Sequence, residues 1–296
     1  MTNKKYRISL IGAGKIAYSL LAALNKKYPV KAIISKNISS AKKLAYKFSI
    51  PVYADDLSKI PSDCDIIFFA IPDDQILLAA EKLSKLRINF SKKLFVHFSG
   101  SENISALKSL KKKGASVASF HIMQTFPSKK LVNIAGCNAA IESENKKNRE
   151  ILFSLAASLG LKPFAINSDE KVSYHLSGVF ASNFLVGNIF CAENIFGQRS
   201  GANIFNMVEP IINSTLNNIK KNKAVKSLSG PIERGDLKTV KAHLKSLSGR
   251  NKKLYKLSYI SQSLILIQIA QKKFGGLSPD HIRIKKILES ELSKKI

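Results

Sequence analysis

Two glycines and an alanine near the N-terminus of this 296-residue chain are its first candidates for a functional motif. Gly12, Gly14 and Ala17 follow the apolar run Ile8-Ser-Leu-Ile11 as G-x-G-x-x-A. In this pattern the first glycine makes a tight turn, the second admits a pyrophosphate, and the small third residue packs the helix on the strand. The helix N–H groups and dipole then bind the phosphates. We therefore predict a dinucleotide site at Gly12, Ala13, Gly14, Lys15 and Ile16.

The end of the second predicted strand distinguishes the two nicotinamide dinucleotides. Val30-Lys-Ala-Ile-Ile34 is typical of a buried parallel strand, and Ser35, Lys36 and Asn37 follow it. An NAD-selective site usually has Asp or Glu here, but no acidic residue precedes Asp55. A hydroxyl, an ammonium and an amide suit a 2′-phosphate, so we predict NADP(H). The alternative is that Lys36 is one more solvated lysine.

A strand predicted at residues 65–71 also ends at the cofactor crevice. Pro72 ends it, and Asp73 and Asp74 favour the first turn of the next helix. Ligands of open α/β sheets bind at the carboxyl ends of strands, near the switch in strand order. The further cofactor-binding candidates are therefore Ala70, Ile71, Pro72 and Ser99.

Two later strand ends offer groups for proton transfer and substrate binding. Reduction by a nicotinamide leaves an anion that must be protonated, so the site needs an acid. His121 follows a predicted strand, and we predict that it is the acid, since a histidine ionises near neutral pH. The alternative is that His121 is a structural loop histidine. For His97, which lies within a strand, we favour a buried structural role. The substrate-binding candidates here are Ser101 and Gln124.

A long helix predicted from Asn167, with Glu170 as a capping box, to about Phe196 bears a polar stripe. Lys171, His175, Ser182 and Asn183 recur at helical spacing on a segment otherwise free of charge. Such groups are costly unless they face water, a partner or a ligand. We predict catalytic roles for His175 and Asn183, a substrate contact for Ser182, and an exposed position for Lys171. Alternatively, these groups cap neighbouring helices or cross a dimer interface.

A turn between later helices contains a third candidate cluster. Ser229 and Arg234, on either side of Gly230-Pro231, could bind a substrate carboxylate. Alternatively, Gly230-Pro231 only ends one helix and Asp236 begins another. The residues leave both interpretations open.

The pattern along the chain predicts the elements that position these residues. Short apolar strands alternate with helical patterns as far as Ile166, which is typical of βαβ units. The predicted strands lie at 6–11, 30–34, 51–53, 65–71, 94–98, 115–119, 138–141 and 163–166. The later predicted helices lie at 201–222, 236–247, 250–274 and 279–294. We predict an α/β fold, with a doubly wound parallel Rossmann sheet at 1–166 and an all-α, dimerising domain at 167–296.

The composition limits which binding partners and which cellular compartment we expect. The net charge of +28 favours small anionic substrates, but the basic residues are spread evenly without interleaved aromatics, so we expect no specific nucleic-acid site. The three cysteines lack metal-ligand spacing, so we predict no metal and a reducing, cytoplasmic compartment. The first strand is too short for a signal peptide. Val172–Ala192 could span a bilayer by length, but its polar residues favour a buried helix and no membrane.

The whole set of motifs resembles one group of two-domain proteins. The motifs are Gly12-Ala-Gly14, Ala70-Ile-Pro-Asp-Asp74, Phe98-Ser-Gly-Ser101, His121-Ile-Met-Gln-Thr-Phe126, Ala181-Ser-Asn183 and Gly230-Pro-Ile-Glu-Arg-Gly235. They resemble Rossmann-like proteins whose helical C-terminal half is a domain of unknown function. This group is similar in architecture to pyrroline-5-carboxylate reductases, β-hydroxyacid dehydrogenases, ketopantoate reductases and prephenate dehydrogenases. The resemblance implies an NADP-dependent oxidoreductase acting on a small anionic oxo acid, with 2-dehydropantoate (ketopantoate) as the leading substrate.

The chain departs from these families at two positions. β-Hydroxyacid dehydrogenases and ketopantoate reductases have Lys-x-x-x-Asn on the first helix of the second domain, whereas Val179 precedes Asn183 here. The resemblance to prephenate dehydrogenases supports His121, although Ile122 replaces the proline that usually follows. His121 or His175 would then replace the lysine. The alternative is an NADP-binding protein without turnover, such as a sensor or an assembly partner.

Overall fold

A computed structural model describes residues 5–196 and 203–294. Its strands are β1 (Ile8–Ile11), β2 (Val30–Ile34), β3 (Val52–Ala54), β4 (Ile66–Phe69), β5 (Leu94–His97), β6 (Ser116–Ile122), β7 (Asn138–Glu142) and β8 (Lys162–Ala165). The helices of the same region are α1 (Lys15–Leu24), α2 (Ile38–Phe48), α3 (Asp73–Ser84), α4 (Lys108–Lys111), α5 (Lys146–Ser158) and α6 (Lys171–Gly178). All eight predicted strands are confirmed, with bounds that differ by a few residues at most.

The strands form one sheet in the order β3-β2-β1-β4-β5-β6-β7-β8. The order reverses between β1 and β4, so the predicted doubly wound Rossmann arrangement is confirmed. Among the described strands, only the β6–β7 pairing is antiparallel. The prediction of a wholly parallel sheet is wrong at that pairing. The cause is local, because residues 123–137 form no helix that could return the chain for a parallel pairing.

Both faces of the sheet are buried, as the apolar strands require. Successive residues alternate between two cores, so Phe68 packs beneath α1 and α5 while Phe69 packs beneath α3. Phe98 continues the first core, since its ring lies 5.0 Å from that of Phe68. This packing fixes the carboxyl ends of β1, β4 and β5.

The C-terminal part is helical, as predicted. Its described helices are α7 (Phe184–Phe196), α8 (Ile204–Ser227, interrupted at Lys223), α9 (Pro231–Arg234), α10 (Leu237–Ser246), α11 (Lys253–Phe274) and α12 (Pro279–Ser293). Gly230 and Gly275 have φ of 97° and 73°, so the predicted breaks lie at left-handed glycines. A separate core, including Val240, Ile284 and Leu288, holds α10, α11 and α12 together.

The chain divides into two compact units, Met1–Phe184 and Leu185–Ile296. The division lies after the boundary predicted at Ile166. Lys171 explains part of the difference, because its side chain is buried against strand ends of the first unit. The predicted capping box is only half formed: the Asn167 N–H donates to Glu170 Oε2 at 2.8 Å, but α6 begins at Lys171 and has no side-chain cap.

The helical stretch Lys171–Phe196 differs from its prediction. It has a mean hydropathy of 1.3 and is long and apolar enough to cross a membrane by length and composition. The prediction of a buried helix is wrong for this chain, because none of its most apolar window is buried. Phe180, Val186 and Phe190 are 57%, 69% and 56% exposed.

Candidate functional site

The turn from β1 to α1 has the geometry of a phosphate-binding loop. Gly12 has φ of 113°, and a Cβ added there would lie 2.2 Å from the Ala70 carbonyl oxygen. Only glycine therefore fits the close approach of this turn to the end of β4. Gly14 begins α1 without a side-chain cap, and the first turn has no acidic residue. The first N–H groups of α1 thus remain available for an anion.

A cavity of about 800 Å³ extends from this turn along the carboxyl ends of β1 to β4. The predicted cofactor residues that line it are Gly12, Ala13, Gly14, Ser35, Lys36, Asn37, Ala70, Ile71 and Pro72. Lys15 and Ile16, also within the described chain, lie outside this lining, as does Ser99. The sequence did not indicate Lys129, which lines the cavity from a distant segment, or Asp55 and Asp56, which follow β3.

The turn after β5 is held by a serine hydroxyl. Ser99 is buried, and its Oγ accepts from the N–H groups of Ser101 and Glu102 at 3.2 and 2.9 Å. The same hydroxyl donates to Asp73 Oδ2, in the first turn of α3. Ser101 Oγ also approaches that carboxylate, at 3.4 Å. Asp73, which the sequence indicated only as a helix-starting residue, therefore belongs to this polar cluster.

Two histidines and a tyrosine meet above Gly100. The rings of His121 and His175 lie 6.1 Å apart. A Cβ at Gly100 would lie 2.8 Å from His121 Nε2 and 2.7 Å from His175 Cδ2, so only glycine leaves room for both rings. The Tyr174 hydroxyl lies 3.0 Å from His121 Nδ1. The sequence did not indicate Tyr174, because a tyrosine on an apolar helix is usually a core residue.

The electrostatic surroundings of His121 differ from those expected of an acid at neutral pH. Burial, with the charge of Lys171 and the neighbouring His175, lowers the pKa of His121 to about 4. Burial also raises the pKa of the Tyr174 hydroxyl to about 12. At pH 7 the pair is therefore a neutral imidazole hydrogen-bonded to a neutral phenol. The predicted imidazolium is not the species that this environment favours.

Lys171 is buried, so the prediction of an exposed position is wrong. Its ammonium donates to Ser119 Oγ at 2.7 Å and to the Ser99 carbonyl at 3.1 Å. It also lies 3.6 Å from Glu142 Oε2, and the two side chains are 1% and 5% exposed. The Glu142 carboxylate in turn accepts from Ser119 Oγ and Ser168 Oγ. This network ties α6 to the turn after β5, to the middle of β6 and to the end of β7.

His97 has the structural role that the sequence favoured. It is fully buried, its Nδ1 accepts from the Ser99 N–H at 3.2 Å, and its Nε2 lies 3.3 Å from the Asn103 carbonyl. Burial, followed by the charge of Lys171, lowers its pKa to about 3. A neutral His97 therefore supports the Ser99 turn from below.

A π-helical turn separates the predicted polar stripe into two parts. Residues Val179–Asn183 form this turn between α6 and α7, and the Phe184 N–H bonds the Val179 carbonyl five residues earlier. The extra residue rotates the following side chains by about 100° relative to a regular α-helix. Ser182 and Asn183, which is exposed, lie within this turn, whereas Lys171 and His175 lie in α6.

The remaining predicted residues have other surroundings. The Gln124 side chain folds back on its own segment, where Oε1 accepts from the Thr125 N–H at 2.8 Å. Ser229 and Arg234 lie in the second unit, beside the short helix α9, and both are exposed. Lys273 fixes that segment, donating to the Leu228 carbonyl and to Glu233 Oε1, each at 2.9 Å.

Two family models match different parts of this chain. The family model for shikimate/quinate 5-dehydrogenase matches residues 2–114. A domain of unknown function, DUF2520, matches residues 137–261. The search of curated proteins found no match.

Solved structures share the fold over most of their length. A candidate NADP oxidoreductase from Bacteroides fragilis has a TM-score of 0.74 at 23% identity, over 87% of this chain and 97% of that one. A reductive aminase from Aspergillus terreus, in complex with NADPH, has a TM-score of 0.58 at 11% identity, over 98% and 94%. A pyrroline-5-carboxylate reductase from Coxiella burnetii has a TM-score of 0.56 at 14% identity, over 99% and 100%. The chain is therefore similar in fold to Rossmann-type NAD(P)-binding oxidoreductases, and its residues 137–261 match DUF2520.

Proposed function

We propose that this protein is an NADPH-dependent reductase of small anionic carbonyl compounds. The proposal rests on one observation, the meeting of His121, Tyr174 and His175 above Gly100. They lie at the carboxyl edge of the sheet that also contains the cavity. Proton-transfer groups at that edge of a dinucleotide-binding sheet are what carbonyl reduction needs.

The residues of the cavity fit NADP(H). When bound, the cofactor supplies the hydride for reduction. Gly12 and the uncapped start of α1 form the pyrophosphate site, and Ser35, Lys36 and Asn37 suit a 2′-phosphate. NADPH bound to the reductase of similar fold supports the same assignment.

In the proposed mechanism, His121 delivers the proton while Tyr174 restores it. Because both groups are neutral at pH 7, the Tyr174 hydroxyl donates to His121 Nδ1 and leaves the proton on Nε2. Nε2 lies beside Gly100, and the substrate oxygen is proposed to lie within hydrogen-bond reach of this nitrogen. The Nε2 proton passes to the forming alkoxide as the phenol proton moves to Nδ1, and the resulting phenolate regains a proton from water. In this scheme His175 assists at the exposed side.

The substrate proposal is a small 2-oxo acid. The positive charge of the chain favours an anionic substrate, and 2-dehydropantoate is the first compound to test. Asn183 is proposed to orient the carbonyl. The proposed substrate contacts are Ser101, Gln124, Ser182, Ser229 and Arg234.

Reduction of a C=N bond is a second candidate. Asp73 places a carboxylate at the Ser99–Ser101 turn, where it would stabilise a cationic iminium. The similar structures include a reductive aminase and a pyrroline-5-carboxylate reductase. An anionic 2-oxo acid would gain no such stabilisation from a carboxylate at this edge of the sheet.

The activity test follows NADPH oxidation with 2-oxo acids, including 2-dehydropantoate, and with cyclic imines such as 1-pyrroline-5-carboxylate. We expect His121→Gln and Tyr174→Phe to lower kcat at least tenfold on the best substrate, because both remove the proton path. Ser173→Ala, an exposed change on the same helix, is the matched control. Full turnover in both His121→Gln and Tyr174→Phe would overturn the mechanism.

The same preparation tests the cofactor and the alternative without turnover. NADPH should raise Tm more than NADH at equal concentration, since only the bound state is stabilised. Greater stabilisation by NADH would overturn the NADP(H) proposal. Stabilisation by NADPH without oxidation on either substrate panel would favour an NADP-binding sensor or assembly partner.

We also propose a homodimer in a reducing, cytoplasmic compartment. The exposed apolar side chains of Lys171–Phe196 would be covered by a second copy of this chain, as the sequence-based prediction of a dimerising domain suggests. The cysteines Cys64, Cys137 and Cys191 are free thiols, which suits reducing conditions.

A further inference from the structure

Lys129 lines the dinucleotide cavity from outside the Rossmann motifs. It belongs to the segment between β6 and β7, and it shares the cavity with Ser35, Lys36 and Ser40. Its ammonium donates to Ser40 Oγ at 3.3 Å. A second positive charge therefore lies beside the first turn of α2.

The segment that contains Lys129 is fixed to the sheet and to α1. The Val132 N–H donates to Ser19 Oγ at 2.8 Å, and the Met123 N–H donates to the Asn138 carbonyl at 2.9 Å. Lys129 lies three residues from the first of these anchors. The anchoring lowers the entropy that the lysine would lose on binding a ligand in the cavity.

The first turn of α2 favours an anion. Asn37 caps the helix by accepting from the Ser40 N–H at 2.8 Å, and this turn has no acidic residue. Lys36 precedes the cap, and its ammonium donates to Gln75 Oε1 at 2.8 Å. Asp56 also lines the cavity, but its carboxylate caps the next turn by accepting from the Ser58 N–H and hydroxyl.

We propose that Lys129 is a specificity-determining residue that binds the 2′-phosphate of NADP(H) together with Lys36 and Ser40. This inference rests on the NADP(H) preference proposed above. Of the two lysines at the phosphate, Lys129 would come from the segment that follows β6 and Lys36 from the β2–α2 turn. Lys130 is also exposed but lies outside the cavity lining, so it provides a matched control.

The experiment uses two probes that differ only in the 2′-phosphate, 2′,5′-ADP and 5′-AMP. Dissociation constants are measured by calorimetry for the full chain, Lys129→Gln and Lys130→Gln. Loss of a hydrogen bond to a charged group weakens binding about tenfold or more. We expect that loss for Lys129→Gln with 2′,5′-ADP, no change with 5′-AMP, and no change for Lys130→Gln.

Three results would overturn the inference, and they differ in what else they overturn. If the unmodified chain binds both probes equally, the NADP(H) preference is wrong as well. If it prefers 2′,5′-ADP and Lys129→Gln keeps that preference, only the role of Lys129 is wrong. Equal losses in both lysine variants would attribute the effect to the general charge of the chain.

Discussion

The buried ion pair between Lys171 and Glu142 leads to a prediction with a magnitude. With Nζ and Oε2 3.6 Å apart and both side chains buried, Lys171→Met leaves the Glu142 charge without its cation. Removing one partner of such a pair typically costs about 3–5 kcal/mol. We therefore expect Lys171→Met to lower the free energy of unfolding by about 3–5 kcal/mol at pH 7.

The pKa of Lys171 gives the sign of a pH dependence. Burial lowers this pKa, and the neighbouring Glu142 carboxylate opposes the effect. In Glu142→Gln burial is no longer opposed, so the folded chain releases the Lys171 proton more readily than the unfolded chain does. The stability lost in Glu142→Gln should therefore shrink as pH rises. Lys171→Met lacks this group and should show no such recovery.

Urea unfolding followed by far-UV circular dichroism at pH 6, 7 and 8 measures these losses. The matched control is Lys111→Met, because the Lys111–Glu144 pair is 52% and 65% exposed. Exposed pairs of this kind contribute about 0–1 kcal/mol. A Lys171→Met loss as small as that of Lys111→Met would refute the reasoning. So would a Glu142→Gln loss that grows as pH rises from 6 to 8.

Three further changes have expected outcomes. The pKa of His121 falls from 6.5 to about 4 on folding, so stability should decrease by about 3 kcal/mol as pH falls from 6.5 to 4. Urea unfolding across that range should show a shallower decrease for His121→Gln, and an equal slope would contradict the assignment. Gly12→Ala should lower Tm and NADPH affinity more than Gly136→Ala lowers either. Both glycines have positive φ, but only the Cβ at position 12 meets backbone. Phe180→Glu should convert the proposed dimer to monomer in sedimentation experiments, and a monomeric unmodified chain would contradict the dimer.

The sequence predicted the elements whose signals are local. Each strand is a short apolar run, and β4 (Ile66–Phe69) is buried at every position because helices cover both faces of the sheet. The turn at Gly12 was also predictable, since its tight geometry depends on neighbouring residues. The antiparallel pairing of β7 was not, because its direction depends on how residues 123–137 return, and that segment has no periodic pattern.

Contacts between distant segments escaped the sequence for a different reason. Lys129 and Asp73 look like ordinary surface charges, and only the folded sheet places them at the cavity and at the Ser99 turn. Lys171 begins an apolar helix, where a lysine usually reaches solvent. The ammonium group can be buried because Glu142, Ser119 and the Ser99 carbonyl supply acceptors from β7, β6 and the turn after β5.

The π-helical turn changes how the missing family lysine should be interpreted. In a regular α-helix, residues four apart share a face, so Lys-x-x-x-Asn places both side chains toward one ligand. Here Val179 and Asn183 begin and end a turn whose hydrogen bond spans five residues, so the helix that follows is rotated relative to a regular α-helix. In the proposed mechanism the proton path needs no lysine at position 179, because it runs through the hydrogen bond between Tyr174 and His121, in the regular helix before this turn. Val179→Lys should consequently fail to increase turnover, whereas Tyr174→Phe should remove most of it.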